Sequence, residues 1–380
     1  MKGHLTKRGR ASWRLKYDVD ADGRGGRQTH YVTIKASTER EAQAQATKIM
    51  AAVHDGAHVD PSRLTVAAFI TRWLDNAHGL AGKTLERYRQ LARHQIIPHL
   101  GAVPLQRLRR SYIIDWHAKL LKTGGTGDRP LSARTVKHAH FVLHRALERA
   151  FEAEIVARNV AHGIELPRVE MKEIEILKAG EIEAVLAALA DHPLYPIVVL
   201  ALSSGARRGE ILGLTWGNVD LAAGTIRIDR SLEQTAAGLK LKAPKTKHGR
   251  RTVGLPPIAV EALQTHRRKQ LEWRVAAGLG KVTADTLVFS RFDGEPIVPN
   301  GLSRDWGKFV RTHRLPIVSF HALRHTHAST LIASGLDPLT VSRRLGHTSG
   351  GFTLSVYAHL FSNTDDKAAA IMQAALKRPS

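Results

Sequence analysis

Two short segments near the start of the chain alternate between apolar and polar residues. Residues 13–20 (WRLKYDVD) and 29–36 (THYVTIKA) follow this period of two, which predicts strands, and the Gly-rich stretch between them predicts a hairpin turn. The residues that follow repeat their apolar positions at helical spacing, and Thr38 or Ser37 precedes Glu41 as in a capping box. The pattern predicts a small unit of two or three strands and one helix.

Helical spacing dominates the next hundred residues. After Leu64, apolar residues recur at this spacing in four segments: 66–80, 83–101, 109–124 and 132–156. Gly101, Pro104 and a Gly-containing stretch around residues 124–130 separate the later segments. The pattern predicts a bundle of four or five short helices. Its scattered histidines do not have metal-site spacing, and we expect most of them at the surface or against phosphate: His94, His99, His117, His138, His140 and His144.

From Ile176 onward the pattern indicates a larger domain of helices and short strands. Helices are predicted over 177–193 and on both sides of a tight Ser-Gly turn within 194–221. Short strands are predicted at 225–231, 250–256 and 287–290. The basic stretch 241–251 is expected to form or close the turn between the first two strands, and the region after Ser303 is expected to be mostly helical.

Two linker-like stretches, at residues 55–63 and around Pro167, divide the chain. They predict three domains with the boundaries 1–58, 63–165 and 174–380. The predicted fold class is multidomain and mainly α with small β-sheets. It comprises an N-terminal β-sheet with one helix, a helical bundle, and a mixed α/β domain that is mostly α.

The charge of the chain narrows the class of partner. Its 380 residues carry a formal net charge of +23, with a pI near 10.6. Such an excess favours a polyanionic partner, with nucleic acid ahead of an anionic membrane, although a basic ribosomal or chaperone-type protein is an alternative. The chain has no Cys, which excludes disulfides and thiolate metal sites. Without a membrane-length apolar run or a signal-peptide pattern, we expect a soluble cytoplasmic protein.

The last sixty residues concentrate groups that suit phosphate chemistry. His321 and Arg324 stand three residues apart, so a helix presents both on one face. A second helix is expected to end at Gly346, with His347 just beyond it, and Tyr357 lies in a separate segment. A guanidinium, two imidazoles and a phenol can bind a phosphate and attack it. His321 and His325 stand one helical turn apart, as in some zinc sites, but no acidic residue nearby supplies a third ligand, so zinc is disfavoured here.

Further basic residues accompany this region. Arg207 follows a Gly-containing turn at the start of a predicted helix, where backbone N–H groups favour an anion. Glu210 lies three residues later and could hold an arginine in a fixed orientation. Arg343 and Arg344, near the end of the second helix, are expected to contact backbone phosphate or solvent.

The order of these residues resembles the tyrosine recombinase (phage integrase) family. The family's ordered set is matched by six residues: Arg207 in SGAR, Lys245 in PKTK, His321 and Arg324 in HALR, His347 in LGH, and Tyr357. Many members have Thr at the position of Ser204 and Asp at the position of Ala322, and neither is a direct catalytic group in the family. Lys247 competes with Lys245 for the lysine role, and we favour Lys245.

The resemblance implies a mechanism and a set of partners. The arginines and His347 would bind the non-bridging oxygens, His321 would accept or orient the Tyr357 proton, and Lys245 would protonate the departing 5′ oxygen. Strands would then be cut and rejoined through a 3′-phosphotyrosyl intermediate, without a cofactor or a metal ion. The implied partner is double-stranded DNA with attachment sites, bound by a homotetramer on two sites, with an accessory DNA-bending or excisionase protein as a further candidate.

The resemblance also gives each predicted domain a role and leaves alternatives open. Domain 1–58 would bind arm-type DNA, domain 63–165 core-type DNA, and domain 174–380 would carry the chemistry of integrating or excising a phage or other mobile element. A type IB topoisomerase would use the same residue types. A catalytically silent DNA-binding regulator would bind DNA with strong salt dependence but form no covalent adduct. A metal-dependent nuclease is disfavoured because no carboxylate cluster is evident in the sequence.

Overall fold

The computed structural model describes residues 3–20, 27–54, 62–170, 174–244, 249–347, 351, 369 and 372–376. The chain divides into two compact units, residues 1–170 and 171–380. Both are mainly helical with small antiparallel sheets, in agreement with the predicted fold class. Within the described ranges, none of the helices has the length and apolar surface needed to cross a lipid bilayer.

The first unit begins with a three-stranded sheet and a helix. These elements are β1 (His4–Gly9), β2 (Ser12–Asp20), β3 (Arg27–Lys35) and α1 (Glu39–His54). The strands pair antiparallel in the order β1-β2-β3, which confirms the predicted hairpin, while the predicted turn at 21–26 lies outside the described residues. Thr38 caps α1 by accepting the N–H of Glu41 (3.2 Å), and the Glu41 carboxylate accepts the N–H of Ser37 (3.1 Å).

The two faces of this sheet differ in character. One face packs against α1 through buried residues such as Leu15, Tyr17 and Ile34. The other face carries Arg14, exposed in the middle strand, with its guanidinium over the exposed ring of Tyr31 (5.8 Å). The alternation of the strands therefore puts an apolar surface on the core and a basic surface in solvent.

Helices fill the rest of the first unit, as predicted. They are α2 (Val66–Asp75), α3 (Gly82–Leu91), α4 (Ile97–Leu100), α5 (Arg110–Thr123) and α6 (Ala133–Glu152). A π-helical turn, Ala92–Ile96, joins α3 to α4. The longest helix, α6, buries an apolar stripe that includes Val136, Leu143 and Leu147. This core is separate from that of the sheet, and the predicted boundaries 1–58 and 63–165 stay a prediction.

His117 and His140 are exceptions to the expectation that most histidines of this unit lie at the surface or against phosphate. Both are buried, with 5% and 3% of their surfaces exposed, and His117 Nε2 lies 3.1 Å from His140 Nδ1. Each falls on the apolar stripe of its helix, His117 on α5 and His140 on α6. Their hydrogen bond to each other satisfies two buried ring nitrogens, so an imidazole can occupy a core position.

The second unit contains the remaining elements. Its helices are α7 (Ala179–Leu189), α8 (Tyr195–Ser204), α9 (Arg208–Leu212), α10 (Pro257–Ala276), α11 (Pro299–Thr312), α12 (Ala322–Ala333) and α13 (Pro338–Leu345). Its strands are β4 (Val219–Asp220), β5 (Thr225–Ile228), β6 (Ser231–Thr235), β7 (Gly238–Lys242) and β8 (Arg251–Gly254). The core gathers α8, the strands and α11 around the fully buried Trp306.

Two strand predictions in this unit need correction. The predicted strands at 225–231 and 250–256 pair as β5 and β8, but a separate hairpin, β6–β7, lies between them in the chain. β7 does alternate, since Leu239 and Leu241 are each followed by a lysine, but both leucines are exposed, and Leu232 is the single apolar residue of β6. The predicted strand 287–290 forms only isolated bridges at Leu287 and Ser290, since the chain turns again at 291–296.

Candidate active site

The end of α8 and the start of α9 are joined by a tight turn at Gly205. Gly205 adopts the left-handed conformation (φ 63°) that ends many helices, and its N–H donates to the carbonyl of Ala201 (3.0 Å). Arg207 follows in an extended conformation as the N-cap residue of α9. The predicted helix, turn and helix are confirmed, and Arg207 stands at the start of α9.

Glu210 is a buried carboxylate that holds two arginines. The backbone N–H of Arg207 donates to Oε2 of Glu210 (2.8 Å), and its Nη1 donates to Oε1 (2.9 Å). Arg251 donates from Nη2 to Oε2 of the same carboxylate (2.8 Å). Burial alone would raise the pKa of Glu210, but the hydrogen bonds and charges of Arg251 and Arg207 outweigh burial and lower it. Glu210 therefore stays ionised and fixes the direction of both guanidinium groups.

The helix α12 carries His321 at its N-cap and Arg324 on its first turn. Arg324 is buried, with 4% of its surface exposed. Its Nη1 donates to the carbonyl of Gly205 (2.7 Å) and its Nη2 to the carbonyl of Leu345 (2.9 Å). Both acceptors lie at helix ends, where carbonyls have no partner within their own helix. The guanidinium thereby links the ends of α8 and α13.

The helix α13 ends where the sequence predicts. Gly346 is left-handed (φ 68°), and its N–H donates to the carbonyl of Arg343 (3.0 Å). The N–H of His347 donates to the carbonyl of Ser342 (3.0 Å), which completes a Schellman motif. His347 therefore lies directly beyond the helix end.

Residues 344–346, which we call the carbonyl turn, bring three arginines together. The carbonyl of residue 344 accepts from Nε of Arg251 (2.7 Å). The carbonyl of residue 345 accepts from Nη2 of Arg324 (2.9 Å), and that of residue 346 accepts from Nη2 of Arg207 (3.3 Å). Carbonyls at a helix C-terminus carry partial negative charge, so they attract guanidinium groups. Arg207 and Arg324 consequently bind adjacent backbone acceptors, although they are far apart in sequence.

Positive charge surrounds His347. Burial, and then the charges of Arg324, Arg207 and Arg251, lower the pKa of His347 to about 4. The imidazole is thus neutral at physiological pH, and a neutral imidazole has one N–H to donate and one nitrogen to accept.

The same field acts on His321, which remains exposed to solvent at the helix start. The protein atoms that displace water from part of its ring, and then the charges of His325, Arg324, Arg207 and Arg208, lower the pKa of His321 to about 4. His321 and His325 contact each other edge to face, with ring centroids 4.9 Å apart. A bound anion would add negative charge here and raise the pKa of His321 toward neutrality.

The expectation that Arg344 faces phosphate or solvent is wrong. Its Nε donates to Nε2 of His327 (3.1 Å), and its Nη2 donates to the carbonyls of Ser203 (3.0 Å) and Gly254 (2.9 Å). Its neighbour Arg343 is exposed. Helical spacing gives little indication of which arginine is exposed and which bonds to the protein, because both occupy the last turn of α13.

Two residues of the predicted set, Lys245 and Tyr357, lie outside the described residues, and so does Lys247, the alternative to Lys245. Their positions and roles stay predictions from the sequence. The other four predicted residues gather near the carbonyl turn. Sequence patterns do not single out Arg251 or His327 as additions to this group. The one available signal is that His327 follows Arg324 by three residues and so shares its helix face.

The arrangement suits an anion. Among the described residues, no group of three or more His, Asp or Glu side chains is placed to hold a metal. The guanidinium groups of Arg207 and Arg324 and the neutral imidazole of His347 instead offer donors with permanent positive charge beside them. Such donors can bind phosphate oxygens and stabilise charge that develops on them.

Comparison with known proteins decides the family. The family model described as "Phage integrase family" matches residues 175–364, which is half of the chain. The chain belongs to the phage integrase family. A second model, "Phage integrase, N-terminal SAM-like domain", matches residues 65–121 of this family member. The protein is a tyrosine recombinase, an enzyme that transfers DNA strands, and its relatives are integrases of phages and other mobile elements.

Curated relatives of this integrase family member match along most of their length. A protein named "Tyrosine recombinase XerC-like" from Caldanaerobacter subterraneus subsp. tengcongensis is 27% identical, covering 94% of this chain and 95% of the relative. An integrase from Streptomyces ambofaciens is 29% identical, covering 90% of this chain and 88% of the relative.

Solved structures of integrases share the fold. The Tn1549 transposon integrase in complex with a circular intermediate DNA gives a TM-score of 0.68 at 21% identity, covering 82% of this chain and 99% of that chain. A lambda integrase tetramer bound to a Holliday junction gives a TM-score of 0.58 at 18% identity, covering 90% of this chain and 91% of that chain. These likenesses confirm the predicted fold class.

Proposed function

We propose that the protein is a site-specific recombinase that integrates or excises a phage or another mobile element through a 3′-phosphotyrosyl intermediate. One observation supports the proposal most: the guanidinium groups of Arg207 and Arg324 bind adjacent carbonyls of the carbonyl turn, beside His347. A phosphodiester at this point would meet two permanent positive charges. These charges would offset the negative charge of the phosphate, which is the main obstacle to cleaving DNA.

The two arginines would stabilise the transition state. A guanidinium donates forked hydrogen bonds to two oxygens and keeps its charge at every physiological pH. As the nucleophile approaches phosphorus, charge accumulates on the non-bridging oxygens, and Arg207 and Arg324 would neutralise it. Glu210 and the carbonyl turn hold both side chains before the substrate arrives, so little reorganisation is needed.

The two histidines would assist with protons. His347 would donate a hydrogen bond to a non-bridging oxygen. His321, neutral in the free protein with its pKa lowered to about 4, would accept the phenolic proton or orient the phenol. Because bound phosphate raises the pKa of His321, its strength as a base would increase only when DNA is in place.

Tyr357 would be the nucleophile and Lys245 the general acid. The phenol oxygen of Tyr357 would form a bond to phosphorus while the bond from phosphorus to the 5′ oxygen breaks, and Lys245 would give that oxygen a proton. The phosphotyrosyl bond conserves the energy of the broken phosphodiester. A 5′ hydroxyl from a partner strand would then attack the phosphotyrosine, release Tyr357 and complete the exchange.

The proposal assigns partners to the predicted domains. Domain 1–58 would bind arm-type DNA through the basic face of its sheet, domain 63–165 would bind core-type DNA, and domain 174–380 would carry the reaction. The working assembly would be a homotetramer on two attachment sites of double-stranded DNA, like the lambda integrase tetramer on a Holliday junction to which this chain is similar. An accessory DNA-bending or excisionase protein would set the direction.

The covalent intermediate can be trapped. In a duplex that carries the attachment site and a nick near the cleavage point, cleavage releases the short fragment between the two, which carries the 5′ hydroxyl. Loss of this fragment prevents religation, so the adduct accumulates. The parent protein should form an adduct that migrates slowly in denaturing gels, and Tyr357→Phe should reduce it at least ~10³-fold because the nucleophile is missing. The control is Tyr112→Phe, which removes a hydroxyl from an exposed tyrosine of the first unit and should leave the adduct unchanged.

Other outcomes of this experiment point elsewhere. An adduct that persists in Tyr357→Phe would remove Tyr357 from its role. Tight DNA binding by the parent without any adduct would indicate a silent regulator. Relaxation of supercoiled plasmid without joining of two sites would indicate a topoisomerase.

A further inference from the structure

Arg344 connects four elements of the second unit. From the last turn of α13, its guanidinium donates to the carbonyl of Ser203 at the end of α8 (3.0 Å) and to that of Gly254 at the end of β8 (2.9 Å). Its Nε donates to Nε2 of His327 in α12 (3.1 Å). The three acceptors belong to three different elements, so one planar guanidinium fixes the end of α13 relative to its neighbours.

The acceptor role of His327 depends on which of its nitrogens carries the proton. Its Nδ1 lies 2.7 Å from the carbonyl of Leu202, which can only accept, so Nδ1 carries a hydrogen. Nε2 then lacks a hydrogen only in the neutral ring, and only then can it accept from Arg344. His327 is buried, and burial keeps the ring neutral by lowering its pKa to about 4.

The position of Arg344 affects the arginines of the site through the backbone of the carbonyl turn. The turn starts at Arg344 itself, whose carbonyl accepts from Arg251, and the next two carbonyls accept from Arg324 and Arg207. If the side chain of Arg344 releases its three acceptors, the turn can shift. Each guanidinium that depends on the turn would shift with it.

We propose that Arg344, held by neutral His327, is a positioning residue for the recombination reaction. It sets the carbonyl turn, and the turn orients Arg207 and Arg324 toward the scissile phosphate. Arg344 acts through these residues, because its own hydrogen bonds are directed to protein acceptors. The proposal rests on the proposed function, since it assumes that Arg207 and Arg324 bind that phosphate.

The test compares a charged and an uncharged scissile phosphate. Single-turnover cleavage is measured on two nicked attachment-site duplexes, one with the natural phosphodiester and one with a methylphosphonate, in which a methyl group replaces one non-bridging oxygen. Arginines that neutralise charge matter less on the uncharged group. A loss that arises from their displacement should therefore shrink on the methylphosphonate, whereas a loss from poor folding or weak DNA binding should be equal on both substrates.

Arg344→Lys is the first variant, because it keeps the charge and removes the planar fork. We expect cleavage of the phosphodiester at saturating DNA to fall about 10²-fold, the usual effect of a displacement near 1 Å. Cleavage of the methylphosphonate should fall less than about tenfold, and DNA affinity should stay within about threefold of the parent. The matched control is Arg343→Lys, an exposed neighbour in the same helix turn, which should cleave both substrates at the parent rate.

A second pair of variants tests the partner and serves if Arg344→Lys fails to fold. His327→Gln can still donate to the Leu202 carbonyl and accept from Arg344, whereas His327→Phe can do neither. We expect His327→Gln to stay nearer the parent rate and His327→Phe to show the loss that is specific to the phosphodiester.

The outcomes separate this proposal from the proposed function. Equal losses on both substrates, or parent rates in both Arg344→Lys and His327→Phe, would overturn the positioning role while leaving the recombinase proposal intact. A parent protein that forms no adduct on either duplex would contradict the proposed function and, with it, this inference.

Discussion

Gly205 allows three helices to meet at the candidate active site. It stands in the left-handed conformation (φ +63°), where a side chain is strained, and a Cβ there would lie 2.5 Å from Cδ2 of His327 and 2.7 Å from Cδ2 of Leu345. Its carbonyl also accepts from Arg324 (2.7 Å). The absence of a side chain at one position thus determines how closely α12 and α13 approach the end of α8.

Substitution of Gly205 should lower the stability of the fold, and a control variant separates the contribution of backbone strain from that of crowding. Gly205→Ala combines left-handed strain, worth about 1–2 kcal/mol, with displacement of His327 and Leu345, so we expect a loss of about 3 kcal/mol or more in the free energy of unfolding. Gly278→Ala is the matched control, because Gly278 has φ +70° with nothing within 4 Å of its Cβ position. It should lose only the strain.

Urea unfolding of the three proteins measures both effects. Equal losses in Gly205→Ala and Gly278→Ala would contradict the crowding. Gly205→Ala should also lower the rate of adduct formation, since the Gly205 carbonyl holds Arg324, whereas Gly278→Ala should not.

At this scale the sequence reveals part of the site. Arg207, His321, Arg324 and His347 can be found because each stands in a short motif next to a helix boundary that local spacing predicts. Arg251 cannot, because its partners come from distant segments and nothing nearby in the sequence indicates them. The requirement for Arg344 to face inward is hidden for the same reason.

The packing of α5 against α6 depends on a buried pair of imidazoles. Burial, and then the neighbouring His117 and His144, lower the pKa of His140 to about 4, and burial also lowers that of His117. The unfolded chain binds a proton at each imidazole near pH 6.5, whereas the folded pair stays neutral below that pH. The stability that this pair contributes is therefore complete above pH 6.5 and declines as the pH falls from about 6.5 toward 4.

Removal of His140 should flatten this decline. Lowering the pKa of His140 from 6.5 to about 4 corresponds to a loss of about 3 kcal/mol in the free energy of unfolding as the pH falls to 4. His140→Gln has no imidazole to titrate, so its free energy of unfolding should decline by up to that amount less over the same range. At pH 7.5 the variant should be less stable than the parent. Urea unfolding of the full chain at several pH values from 4.5 to 7.5 measures the slope. The control is His138→Gln, which changes an exposed histidine of the same helix outside the buried pair and should keep the parent slope.

The element scale shows where spacing predicts well and where it does not. The helices of the first unit agree with their predicted segments because apolar positions recur there at helical spacing, whereas α10 of the second unit (Pro257–Ala276) has no predicted counterpart. The position of His140 lies on the apolar stripe of α6, but histidine is a polar residue type, and the residue type led to the expectation of a surface position. The β6–β7 hairpin is not predicted in this way, since each strand has only five residues and the alternation is confined to the two leucines of β7.

Across the whole molecule, the excess of 57 Lys and Arg over 34 Asp and Glu suits a DNA partner. Part of this charge lies on the solvent face of the N-terminal sheet, where Arg14 and Lys16 are exposed in β2. Arg40 and Lys48 lie exposed on α1, which packs on the opposite face. The two pairs carry equal charge but lie on different surfaces of the unit.

This contrast gives a matched test of arm-type binding. Arg14→Gln with Lys16→Gln should weaken binding to DNA that contains arm sites and reduce the slope of log affinity against log salt by about 0.9 for each phosphate that is no longer neutralised. Arg40→Gln with Lys48→Gln should leave that slope near the parent value. Fluorescence anisotropy over a range of salt concentrations measures both slopes, and equal effects of the two pairs would argue against a binding face on the sheet.

The carbonyl turn affects which amino-acid substitutions can disturb the arginines of the site. Its acceptors belong to the peptide backbone, so no replacement of a side chain through the genetic code can delete one. Mutation can only move them, by altering the bend at Gly346 or the anchorage of the preceding arginine. The geometry of the reacting arginines therefore depends on the backbone conformation at these few positions.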